Sequence, residues 1–99
     1  MNDLELQSVI RGDPQAVRAF IREFVPLFQS VFRRKVVGSW RAQEEDLLQE
    51  ILVAIFAHQA RALRAWDPQK GRTLKTFLQV FAEQRTVDWL RRRYRDARE

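Results

Sequence analysis

The sequence predicts an all-α protein, a compact bundle of three main helices preceded by a short N-terminal one. Apolar residues recur at steps of three and four along three long segments. Each segment is set off by Gly or by Asp-Pro, placed where helices stop or start. No stretch alternates apolar and polar residues as a half-buried strand does, and no repeat or low-complexity run is visible. Ninety-nine residues make one domain, residues 1–99, with a core over about 4–94 and 95–99 as a free tail or the start of a linker.

Residues 3–11 predict the short helix, with Leu4, Val9 and Ile10 as its apolar contacts and Gly12 as its stop. Asp13-Pro14 starts the second helix. Asp accepts hydrogen bonds from the first free N–H groups, and Pro sits where its missing N–H costs nothing. Val17, Phe20, Ile21, Phe24, Val25, Phe28, Val31 and Phe32 form one stripe to about Val37. Pro26 lies inside this helix and is expected to bend it. Gly38-Ser39 makes a turn, with Ser39 or a close neighbour capping the third helix. The rest of the chain is expected to be organised around that helix. Its opening, Glu44 to Phe56 (EEDLLQEILVAIF), puts Leu47, Leu48, Ile51, Leu52, Ile55 and Phe56 on one face. Asp46, Gln49, Glu50 and Val53 fall on the other. The helix is expected to continue through the alanine-rich AHQARALRA to about Trp66. Asp67-Pro68-Gln69-Lys70-Gly71 breaks the chain, and Thr73 caps a last helix from Leu74 towards Tyr94. There Leu74, Phe77, Leu78 and Phe81 share a face with Trp89, while Val80, Val87 and Tyr94, with Leu90 beside them, form a second apolar line. A helix apolar on two sides is buried on both or keeps one for a partner.

Composition narrows the function. No apolar run approaches the ~20 residues that span a bilayer, and MNDLELQ lacks the basic-then-apolar order of a secretory signal. With no cysteine there is neither a disulfide framework nor a thiolate metal site. A cytoplasmic location without membrane insertion is the simplest expectation. Fifteen of the 18 basic residues are Arg and the net charge is +5, concentrated towards the C-terminus. A planar guanidinium matches phosphate, so nucleic acid competes with a merely solvated surface as the explanation.

No catalytic constellation is present. His58, the single histidine, has no metal-ligating companion at suitable spacing and reads as a packing or surface residue. The three glycines stand apart, so there is no phosphate loop. The acidic residues 44–46 are consecutive, point in different directions, and read as helix N-terminal charge. No enzyme activity, cofactor or metal is implied. Lys70, Arg72 and Lys75 around the start of the last helix, Phe77 and Phe81 along it, and Arg91, Arg92 and Arg93 near its end combine cations with aromatic rings. Proteins hold unstacked bases with such sets. The competing reading makes both Phe core residues and the charges solvated.

These segments, EEDLLQEILVAIF and WDPQKGRTLKTFLQVFAEQRTVDWLRRR, resemble region two of bacterial sigma factors, especially the extracytoplasmic-function (ECF) type. GDPQAVRAFIREFVPLFQSVFRR is similar to the first helix of that region, internal Pro included. The likeness covers residues 4–94 and implies the sigma region-two fold. It implies a polymerase-binding stripe on the β′ clamp helices, carried here by Asp46, Gln49 and Glu50 with Leu48 and Val53 beside them. It implies recognition and melting of the promoter minus-ten element, with a flipped base of the non-template strand held by Lys70, Arg72, Lys75, Phe77, Phe81, Gln84 and Arg85. Arg91, Arg92 and Arg93 would follow the DNA backbone. An anti-sigma factor joins RNA polymerase core and promoter DNA among the implied partners.

The family usually has Arg-Asn where Glu83-Gln84 stands and Trp where Phe77 stands. A carboxylate at 83 opposes phosphate, which leaves open a sigma-like adaptor or decoy that binds polymerase or an anti-sigma factor without opening DNA. The segment between Phe56 and Asp67 is also longer than usual. These residues include no counterpart of the family's second, helix-turn-helix domain, so the chain is expected to be either an excised domain or a region-two-only protein.

Overall fold

Local sequence sets where the helices of the computed structural model begin, and the model describes residues 1–98. Helix α1 spans Asp3–Ile10, α2 Pro14–Lys35, α3 Glu44–Arg64 and α4 Leu74–Arg98; short 3-10 turns, Gly38–Gln43 and Pro68–Lys70, precede α3 and α4. Asp13 Oδ1 accepts from the N–H groups of Gln15 and Ala16, at 2.9 and 3.4 Å. Thr73 Oγ1 accepts from Thr76 N at 3.1 Å, and Asp67 Oδ1 from Gln69 N at 2.9 Å. Gly71 takes φ +84°, the left-handed turn that releases the chain into α4. Among the described residues no helix is long and apolar enough to cross a membrane.

The hub of the bundle is α2, which packs on α1, α3 and α4, most extensively on α4. This differs from the expectation that α3 organises the chain, and side-chain size explains it. Phe20, Phe24, Phe28, Val31 and Phe32 are all buried along α2, as the stripe required. Phe20 meets Phe24 and Phe56, with ring centroids 4.9 and 5.6 Å away, and Phe32 meets Trp89 of α4 edge-on at 6.0 Å. Helix α2 continues through the exposed Pro26 as one helix of 22 residues. On α1 the buried residues are Leu6 and Val9, whereas Leu4 is 80% exposed, because Leu4 lies away from the side that meets α2 and α3.

Two expectations about α3 are corrected. Ser39 does not cap it: residues 38–43 form a 3-10 turn, and the residue before Glu44 makes no side-chain cap. Instead Arg33, at the end of α2, donates to both carboxylate oxygens of Glu44, at 2.8 and 3.2 Å, tying α2 to the start of α3. The hydrogen bond and charge of Glu44 raise the Arg33 guanidinium above its ordinary pKa.

The helix is also not continuous to Trp66. Ala57 is extended (φ −60°, ψ 147°), and His58, Gln59 and Ala60 are left-handed, with φ of 55–59°. Three consecutive non-Gly residues in that region carry strain of about 1–2 kcal/mol each. Burial of Ala60 and Leu63 opposes it, as does Arg64, which donates to the carbonyls of His58 and Gln59 at 3.0 and 3.1 Å. Gln59→Gly is therefore expected to stabilise the protein by roughly 0.5–1 kcal/mol in thermal unfolding. A regular helix at this point would give the opposite sign, a loss of about 1 kcal/mol.

Candidate functional site

Two surfaces gather the residues singled out in the sequence. The first is the outer face of the opening turns of α3. Asp46, Gln49 and Val53 are exposed there and Glu50 is partly buried, all within one turn-to-turn stripe. Leu48 departs from this set. It lies about half a turn of the helix from Asp46 and is 9% exposed in the hydrophobic core.

The second surface joins the loop after α3 to α4. Trp66 Nε1 donates to the Arg72 carbonyl at 2.9 Å and holds the loop closed around the Pro68–Lys70 turn. A cleft of about 260 Å³ opens between them, lined by Ala65, Trp66, Asp67, Lys70, Arg72 and Phe77. Beside it, sharing Ala65, lies a wider cleft of about 510 Å³ lined by Ala54, Ala57, His58, Arg61, Ala62, Phe81 and Arg85. The Arg85 guanidinium sits 5.1 Å from the centre of the Phe81 ring. Phe77 and Phe81 are partly buried, packed against the core yet still lining the clefts. Thus Lys70, Arg72, Phe77, Phe81 and Arg85 come together. His58 and Arg61 join them from within and just after the backbone break at 57–60, and Trp66 from the loop that follows; the even apolar spacing of the alanine-rich segment carries no sign of that break.

The remaining candidates point elsewhere. Lys75 lies about half a turn from Phe77 and lines a hollow with Met1, Glu23, Phe24 and Leu27, on the other side of α4. Gln84 and Arg91 border a groove with Lys35, Glu83, Val87 and Asp88. Glu83 accepts from Gln79 at 3.2 Å and pairs with Lys35 at 3.9 Å, so its charge faces α2 rather than the clefts. Arg92 and Arg93 turn to α3. Arg92 pairs with Glu50, and Arg93 donates to Gln43 Oε1 at 3.0 Å and Asp46 Oδ2 at 3.2 Å. The Arg93 guanidinium lies 4.5 Å from the centre of the Trp89 ring. Three consecutive arginines therefore do not make one patch, since neighbours on a helix are turned by about 100°. Trp89 is fully buried with no partner for its indole N–H, so it does not flank the clefts as Trp66 does.

Among models of protein families, Sigma-70 region 2 matches residues 20–96, from the middle of α2 to near the end of α4. No curated protein and no solved structure matches the chain.

Proposed function

Given that the chain belongs to the sigma-70 region 2 family, we propose that it binds RNA polymerase core and reads the promoter minus-ten element. The family is one of non-enzymatic transcription-initiation domains. On this reading, Asp46, Gln49, Glu50 and Val53 dock on the β′ clamp helices, and the two clefts beside α4 receive bases drawn out of the non-template strand. The observation that carries it is the meeting of Lys70, Arg72 and Phe77 with Trp66 around one cleft. Rings on its walls stack on an extruded base, and the cations neutralise the adjoining phosphates. Extruding a base costs a few kcal/mol, which such contacts offset. Glu83 favoured the adaptor that leaves DNA closed; its pairing with Lys35 turns that carboxylate from the clefts and supports the promoter-reading alternative. We assign the protein to the ECF type on the motifs quoted above, with an anti-sigma factor as a further partner.

Pull-down of purified core polymerase tests the docking half. Gln49→Ala/Glu50→Ala is expected to lower retention about tenfold or more, the loss typical of a central interface contact. Unchanged retention would remove the docking claim. For the DNA half, the protein should prefer a minus-ten-like single-stranded oligonucleotide over a scrambled one at two salt concentrations. Equal binding at both would leave only general electrostatics.

A further inference from the structure

The stripe on α3 and the arginines near the end of α4, assigned above to different partners, hold each other. Asp46 and Glu50 stand one turn apart on α3, and Arg93 and Arg92 reach them from a chain distance of 47 and 42 residues. The contact is tertiary, and it occupies two carboxylates of the docking stripe together with two cations of the arginine run. Neither pair is sealed in the core: the side chains of Arg92 and Glu50 are 45% and 38% exposed, and those of Arg93 and Asp46 are 29% and 68% exposed. Exposed pairs are weak and yield to competing charge. When Arg93 exchanges Asp46 for a phosphate, the nitrogen that held Asp46 takes the new partner while the guanidinium stays on the Trp89 ring and keeps its bond to Gln43, so the exchange does not unpack the helix.

We propose that these two pairs form an internal latch between the docking face and the nucleic-acid-binding arginines. In the free protein, Asp46 and Glu50 withhold Arg93 and Arg92 from phosphate. A docking partner that brings its own cations to the two carboxylates releases both guanidiniums towards a nucleic-acid strand. Nucleic acid that captures the arginines in turn bares the carboxylates for docking. The two binding events therefore favour each other, reciprocally, by the free energy of the broken pairs. The proposal rests on the docking role given above to the α3 stripe.

The test uses oligo(dT), which contains no minus-ten sequence and needs no polymerase, so the latch can fail while promoter reading stands, and the reverse. Binding is measured over a range of salt for wild type, Asp46→Asn/Glu50→Gln, and the charge-matched Glu5→Gln/Glu45→Gln. Neither Glu5 nor Glu45 is ion-paired among the described residues. The latch variant is expected to bind several-fold tighter, with a slope of log K against log salt steeper by about 1.4, two added phosphate contacts at about 0.7 each. The control keeps the wild-type slope. A latch variant that melts like wild type yet shows the control's slope overturns the proposal. Where the double variant melts early, Glu50→Gln alone, which leaves Arg93 on Asp46 and Gln43, enters a cycle with Arg92→Gln. Arg92→Gln then weakens oligo(dT) binding several-fold more in the Glu50→Gln background than in wild type; equal losses in both backgrounds overturn the latch.

Discussion

Trp89→Ala is expected to destabilise the protein by about 3–5 kcal/mol, the range for removing a large aromatic ring from a close-packed core. Trp89 is fully buried, meets Phe32 edge-on at 6.0 Å, and lies beneath the Arg93 guanidinium. Removing it leaves a cavity at the α2–α4 interface, the most extensive contact in the bundle. A domain of this length has about 5–15 kcal/mol of stability in all, so the loss takes a large share. Each kcal/mol moves Tm by about 4–8 °C at this size, which makes circular dichroism during heating a sufficient measurement. Trp89→Phe is expected to cost much less. It keeps most of the apolar surface and removes an indole N–H that is buried without an acceptor, itself a burden of about 1–3 kcal/mol. A loss below about 1 kcal/mol for Trp89→Ala would mean that α4 is not seated on α2 through this ring.

The second large effect concerns the clefts. Phe77→Leu and Phe81→Leu each keep an apolar side chain against the core while removing the ring. Each is expected to weaken binding of a minus-ten-like single strand by about 1–3 kcal/mol, roughly five- to 150-fold. Lys75→Ala serves as the contrast. Lys75 lies across α4 beside Met1 and Glu23, so its loss should remove general attraction only, shallow in magnitude and alike for every sequence. Fluorescence titration at fixed salt, with thermal unfolding of each variant, separates lost stacking from lost fold. Equal losses for Phe77→Leu and Lys75→Ala would show that the cleft does not receive a base.

How much of this was legible in the chain depends on the range of the interaction. Asp13-Pro14, Thr73 and Asp67-Pro68 act on N–H groups two or three residues away, so the helix starts they control could be read directly. Ser39 is no cap because the chain enters α3 through a 3-10 turn, and what secures that start is Arg33, eleven residues back from Glu44 in the sequence. The break at 57–60 shows in the sequence only as a segment between Phe56 and Asp67 longer than the family's usual one. Its residues are neither Gly nor Pro, and AHQARALRA has the composition of a helix. The left-handed turn persists against local preference through contacts such as those of Ala60, Leu63 and Arg64. The second cleft depends on it.

The candidate site divides along the same line. Periodicity alone placed Asp46, Gln49, Glu50 and Val53 on one side of α3 and the apolar residues on the other, because helical geometry orders side chains within one element. The clustering of cations and rings around the start of α4 was equally visible as composition. Periodicity could not say which of those cations share a surface. Lys75 and Arg91 lie apart from the clefts, and Arg92 and Arg93 are spent on Glu50 and Asp46. Those pairings join residues more than forty positions apart in the chain and exist only once α3 and α4 are packed together. Local hydrogen bonding and apolar spacing decide the helices and their faces; which charges meet is decided by the packing of one helix on another.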